Sequence, residues 1–174
     1  EVIIDNVPEI LDVIRLIDLL EYIGVKVNKL RKSKYSFKAD SIDLDKLQTN
    51  QFNEKARALR GSIMIIGPML SRFGKASIPK PGGDKIGRRR LDTHFESVIK
   101  LGAKFNYDRQ NYIYNVDAAN LKGNKILLDQ PSVTGTANLI MASVLADGET
   151  IINNAACEPY IQQLCKMINV MGGK

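Results

Sequence analysis

Apolar positions recur along the chain with two periods. Leu16, Leu19, Leu20 and Ile23 follow the i, i+3, i+4, i+7 spacing of one helix face, and Leu164, Met167, Ile168 and Met171 repeat it. His94, Val98 and Leu101 stand at matching offsets in a middle segment. Each segment closes on a glycine with lysine two residues on: Gly24-Val25-Lys26, Gly102-Ala103-Lys104 and Gly172-Gly173-Lys174. Glycine there can take the left-handed conformation that ends a helix. Strand-like runs follow the first two, Val25 to Val27 and Ala103 to Phe105.

A second pair of segments is also alike. Ser62 to Gly74 and Thr136 to Gly148 have equal length, read as apolar helices and end in glycine. A strand-like run follows each, Ala76 to Ile78 and Thr150 to Ile152. Further strands are expected at Val2 to Ile4, Tyr35 to Phe37, Tyr112 to Tyr114 and Lys125 to Leu128. The pattern predicts an α/β domain whose helix-and-strand units repeat about three times.

Composition changes this picture little. The chain has 174 residues, 44% hydrophobic and 25% charged, which is ordinary for a globular domain. The longest apolar run, near Ile63 to Leu70, is broken by Gly67 and Pro68 and is far too short to span a bilayer. Cys157 and Cys165 are too few for a disulfide framework, and with His94 the only histidine no metal site is expected. The chain opens inside an apolar run and stops straight after a helix pattern, so it is expected to be a domain excised from a larger protein.

Charge changes it more. The net charge of +6 concentrates in Lys29 to Lys34 and in Arg88-Arg89-Arg90, which calls for an anionic partner. The second cluster lies in Pro79 to His94, where two prolines and three glycines within nine residues exclude regular structure. A helix pattern begins near Asp92, a candidate N-cap. A glycine-rich loop entering a helix beside three arginines suits an anion, because backbone N–H groups, the helix dipole and guanidinium forks all favour negative charge. The spacing matches neither the P-loop nor the dinucleotide fingerprint, and a solvated basic turn would read the same way.

The motifs taken in order are more specific. Pro81-Gly82-Gly83-Asp84-Lys85-Ile86-Gly87, followed by Arg89, Asp92 and His94, resembles the catalytic loop of UDP-N-acetylglucosamine enolpyruvyltransferases. Arg60-Gly61-Ser62 with Gly67-Pro68 and Arg72-Phe73-Gly74 resembles the segment before that loop. Asp129-Gln130-Pro131-Ser132-Val133-Thr134-Gly135-Thr136 resembles the sugar-nucleotide segment, and Asn154-Ala155-Ala156 with Glu158-Pro159 a later signature. The resemblance covers nearly the whole chain.

The resemblance implies a two-domain enzyme of about 420–440 residues, of which residues 1–174 form one domain. Each domain is an inside-out α/β barrel of three repeats with its helices in the centre. The implied reaction moves the enolpyruvyl group of phosphoenolpyruvate to the 3′-hydroxyl of UDP-N-acetylglucosamine and releases phosphate. It is the first committed step of peptidoglycan synthesis, runs in the bacterial cytoplasm and uses no cofactor. The site lies between the domains under the glycine-rich lid.

The resemblance also assigns residues. Asp84 stands where most of the family has a lid cysteine, and by position it is the general acid that protonates the vinyl carbon or a relay for that proton. A solvated aspartate, with a pKa of about 3.9, is ionised at neutral pH; desolvation under a closed lid would raise that value and nearby arginines would lower it. A carboxylate is also a poor nucleophile toward the epoxide fosfomycin, which alkylates the lid cysteine, so insensitivity is expected. Arg89 is implied as a phosphate contact shared by both substrates and Arg60 as a contact to UDP-N-acetylglucosamine. Arg90, Leu91, Asp92 and Thr93 would line the uridine end, and Gln130, Pro131, Ser132 and Val133 the diphosphate or uridine segment. Arg90 replaces the family's usual proline, Thr93 a frequent leucine, and Gln130 a lysine found in some relatives. His94 reads either as a polar orienter at the helix start or as a residue packed on its inner face. Glu158 reads as a cap or salt-bridge residue.

Three other readings stay open: the shikimate-pathway enolpyruvyltransferase of similar fold, a nucleic-acid-binding or RNA-end-processing domain using the basic runs, and a non-catalytic relative. No interleaved aromatic platform accompanies the basic runs. The family's N-terminal lysine–asparagine pair and its second-domain arginines and aspartate have no counterpart in this chain. The fragment alone is therefore expected to be inactive.

Overall fold

The computed structural model describes residues 1–82 and 90–173. These form two compact units, residues 1–63 with 78–82 and residues 64–77 with 90–173.

In the first unit, β1 (Val2–Ile4), α1 (Leu11–Tyr22), β2 (Lys26–Arg31) and β3 (Lys34–Lys38) are followed by α2 (Asn50–Arg57). The three strands form an antiparallel sheet in the order β1-β3-β2, with Phe37 of β3 opposite Val2 on one side and Val27 on the other. The β2–β3 turn closes at Ser33, whose φ is +56°. Helix α2 starts where the Thr49 hydroxyl accepts the Phe52 amide at 3.2 Å, an N-cap. It lies against α1, and its buried residues are Phe52 and Ala56, that of α1 Leu19.

The second unit holds α3 (Ile66–Phe73), β4 (Lys75–Pro79), α4 (Asp92–Lys100), β5 (Lys104–Asp108), β6 (Ile113–Asp117), β7 (Lys125–Leu127), α5 (Val133–Ser143), β8 (Ile151–Asn153) and α6 (Pro159–Val170). The first three residues of β4 belong to it. One sheet runs β4-β6-β5, and β7 pairs with β8 in parallel. Helix α5 is the hub: it touches α3, α4 and α6, and Gly135 to Leu139 are buried along it. At Gly67 a Cβ would run into the Asn138 backbone carbonyl, so glycine is what lets α3 approach α5 this closely.

The three glycine-closed segments end identically. Gly24, Gly102 and Gly172 have φ of +107°, +98° and +97°. In each, the glycine amide reaches the carbonyl three residues back (Glu21, Ile99, Asn169) and the next amide reaches the one five back (Leu20, Val98, Ile168). That is the Schellman pattern, which satisfies carbonyls a helix end would otherwise orphan. Gly74 and Gly148 also take positive φ, +67° and +87°, after α3 and α5.

Several boundaries differ from expectation: Val25, Ala103 and Thr150 fall just before β2, β5 and β8, and Ser62 lies in a 3-10 turn ahead of α3. Tyr112 has φ +57° and belongs to the turn before β6. Leu128 falls just outside β7. Asp92 is the first helical residue of α4, not its N-cap; Leu91 occupies the cap without a side-chain bond. The Asp92 carboxylate is bound to Arg90 instead, and supports the helix start through its charge.

Candidate functional site

The described part of the predicted site divides between the two units. Asp84 and Arg89 lie outside the described residues. In the first unit, Arg60 opens a 3-10 turn (Arg60–Ile65) after α2 and is half-buried. Ser62, fully buried, ties that turn down by donating to the carbonyls of Ala56 at 2.8 Å and Leu59 at 2.7 Å. The stem of the glycine-rich loop reaches the same place: a Cβ on Gly82 would collide with the Arg57 carbonyl. Local backbone packing thus brings the Pro81-Gly82 stem beside the Arg57–Arg60 segment.

In the second unit, the start of α4 meets the loop that leads into α5. Thr93 is buried, and its hydroxyl donates to Asp129 Oδ1 at 2.7 Å while accepting from Gln130 Nε2 at 3.2 Å. Arg90 Nε donates to Asp92 Oδ2 at 2.6 Å, and Arg90 Nη2 lies 3.9 Å from Asp129 Oδ2. The Thr93 hydroxyl, seconded by the Arg90 charge, holds the Asp129 carboxyl below its ordinary value against the opposing effect of desolvation. Arg90 is raised above the ordinary arginine value, chiefly by its bond to Asp92. Both pairs are well exposed, and such pairs contribute little to stability. Their worth is in directing polar groups at the surface.

Helix α5 begins at Ser132, whose Oγ accepts the Gly135 amide at 3.2 Å. The Val133 and Thr134 amides that follow are among those an α-helix leaves without internal acceptors, so this end suits an anion. Gly135 fits against Thr93, whose Cγ2 would lie 2.9 Å from a Cβ there. Pro131 is exposed and Leu91 buried. The cluster thus offers two kinds of partner at once. The Asp92 and Asp129 carboxylates and the Gln130 amide suit hydroxyls and a ring N–H, whereas the start of α5 suits phosphate.

Behind this surface runs a buried polar chain. His94 is 3% exposed and Asn138 fully buried. Asn138 Oδ1 accepts the Gly67 amide at 2.7 Å, Asn138 Nδ2 lies 3.0 Å from His94 Nδ1, and His94 Nε2 lies 3.2 Å from Thr134 Oγ1. The packed reading of His94 therefore holds: it is buried on α4, with its two ring nitrogens against Asn138 and Thr134. Sequence reasoning missed Asp129 as a hub and Asn138 as a partner. A signal existed for the first, which stands inside the sugar-nucleotide motif; Asn138 carried only the oddity of a polar residue among the apolar positions of α5.

Among the described residues no group of acidic, histidine or cysteine side chains could hold a metal, and no helix is long and apolar enough to cross a membrane. Cys157 and Cys165 are free thiols.

The second unit thus places a helix at its hub and a polar surface at two helix starts. The chain belongs to the EPSP synthase (3-phosphoshikimate 1-carboxyvinyltransferase) family, whose model matches residues 1–174. Within it, the chain is 59% identical over all 174 residues to a UDP-N-acetylglucosamine 1-carboxyvinyltransferase of Bacteroides fragilis. It is 56% identical to that of Porphyromonas gingivalis over 172 residues and 46% identical to that of Treponema denticola over 174. The match covers 99–100% of this chain but only 39–40% of those relatives, so the chain spans well under half of their length. Among solved structures, the enolpyruvyl transferase NikO from Streptomyces tendae matches with TM-score 0.77 at 13% identity, over 96% of this chain and 38% of that one. EPSP synthase from Acinetobacter baumannii matches with TM-score 0.62 at 14% identity, over 87% of this chain and 34% of that one. These two likenesses concern the enolpyruvyltransferase fold.

Proposed function

We propose that this chain is the lid-bearing domain of a two-domain UDP-N-acetylglucosamine enolpyruvyltransferase that acts at the first committed step of peptidoglycan synthesis. The complete enzyme transfers the enolpyruvyl group of phosphoenolpyruvate to the 3′-hydroxyl of the nucleotide sugar. The hydroxyl adds to the substituted vinyl carbon as the terminal carbon gains a proton; loss of a proton from that carbon and of phosphate then restores the double bond. Asp84 supplies the proton, and Arg89 and Arg60 hold anionic groups of the substrates. Arg90, Leu91, Asp92 and Thr93 surround the uridine end, with Gln130, Pro131, Ser132 and Val133 at the diphosphate. The domain is one inside-out barrel of three repeats, and the enzyme works in the cytoplasm.

The observation that carries this reading is the Arg90–Asp92–Thr93–Asp129–Gln130 cluster, which joins two motifs 36 positions apart into one polar surface. The 59% identity to a UDP-N-acetylglucosamine 1-carboxyvinyltransferase favours the nucleotide sugar over shikimate 3-phosphate as acceptor. The test is phosphate release by the complete enzyme from phosphoenolpyruvate with each acceptor in turn. Turnover with UDP-N-acetylglucosamine alone is expected, and turnover with shikimate 3-phosphate alone would overturn the reading.

A further inference from the structure

Thr134 stands on the first turn of α5, beside Ser132 and Val133, and is exposed. The polarity of the buried chain behind it can be worked out in one direction only. A backbone amide donates, so the Asn138 atom facing the Gly67 N–H at 2.7 Å is the side-chain oxygen, and the NH2 group points the other way. That NH2 lies 3.0 Å from His94 Nδ1 and can only donate to it. Nδ1 therefore presents a lone pair, and the proton of the neutral ring sits on Nε2. Nε2 is 3.2 Å from Thr134 Oγ1 and donates to it.

The Thr134 hydroxyl is thereby an acceptor toward the protein interior, and its own hydrogen cannot point back along that bond. It makes no other hydrogen bond among the described residues. The hydrogen is left for a partner other than His94, and Thr134 stands on the first turn of α5, the end at which the first amides also lack internal acceptors. We propose that Thr134 is a further substrate-binding residue. Its hydroxyl donates to a diphosphate oxygen of the nucleotide sugar, and His94 and Asn138 are positioning residues that fix its direction. A donor held at a helix start, with its acceptor face already occupied, discriminates for an anion and against another donor. The inference rests on the nucleotide-sugar reading of the preceding section and deepens it.

The test uses the complete enzyme with UDP-N-acetylglucosamine. Thr134→Val keeps the branched shape and removes the hydroxyl. It is expected to weaken binding of the nucleotide sugar about tenfold, the scale of one hydrogen bond to a charged group, and to leave KM for phosphoenolpyruvate in place. Thr134→Ser restores most of the affinity. Selective 15N-histidine NMR should show His94 with a bare Nδ1 and a protonated Nε2. Unchanged affinity in Thr134→Val, or a proton on His94 Nδ1, would overturn the proposal while wild-type binding leaves the enzyme assignment standing. If the wild-type enzyme does not bind the nucleotide sugar, the assignment itself fails and the role of Thr134 falls with it.

Discussion

Adding one methyl group at Gly67 forces apart α3 and α5, two of the three helices that carry the buried polar chain. A Cβ built there lies 2.7 Å from Asn138 Oδ1, and closer still to the Asn138 backbone carbonyl, which cannot rotate away. Ordinary contact begins at 3.4 Å, so at least 3.4 − 2.7 = 0.7 Å of separation must be found between α3 and α5. Both helices are packed on their other sides, and overpacking of this kind costs about 1–3 kcal/mol. The same movement stretches the Gly67 N–H bond to Asn138, at about 1 kcal/mol more. Alanine recovers only part of its helical advantage of about 1 kcal/mol over glycine, because Gly67 lies in the first turn. A net loss of about 2–3 kcal/mol is expected in urea denaturation, with faster hydrogen exchange at the residue 67 amide. Gly61→Ala is the control, since a Cβ there meets only Leu59 side-chain atoms at 3.7 Å or beyond. It should cost under about 0.5 kcal/mol. Equal stability of the two variants would refute the close-packing argument.

Other outcomes follow from single residues. Asp84→Ala in the complete enzyme should abolish phosphate release without preventing nucleotide-sugar binding; wild-type turnover would remove the general-acid role. Fosfomycin should leave the enzyme active, and a covalent mass shift on Asp84 at low drug concentration would contradict that. Because Asp129 is held below its ordinary value, ionised Asp129 favours the fold at neutral pH, and the contribution is lost as pH falls below about 3.9 and through the lower folded value. Thr93→Val removes the main cause, so a carboxyl NMR titration should find Asp129 higher than in the wild type. Gly102→Ala, at φ +98°, should cost about 1–2 kcal/mol in thermal or urea denaturation through left-handed strain alone.

The legible parts of the fold were those written in consecutive residues. The glycines at 24, 102 and 172 marked three helix ends because left-handed backbone there is a local demand, and all three take it. The runs Val2 to Ile4, Tyr35 to Phe37 and Ala76 to Ile78 all fall within strands because apolar and β-branched content announces them locally. The hidden parts depend on residues far apart. Thr93 to Asp129 spans 36 positions, His94 to Asn138 spans 44 and Gly67 to Asn138 spans 71, and no periodicity encodes such pairs. Asn138 looks like a misplaced polar residue until α3 and α4 are brought against α5. Asp92 reads as a cap until Arg90 takes its carboxylate. Tyr112 reads as strand because aromatic content says nothing about a turn that needs positive φ at that residue.

The most direct test of the nucleotide-sugar reading is an amide-resolved NMR titration of the complete, isotope-labelled enzyme with UDP-N-acetylglucosamine. The account predicts shifts concentrated at Arg60, at Arg90 to Thr93 and at Gln130 to Thr134. Saturable binding that moves other residues and leaves these three segments unperturbed would contradict it.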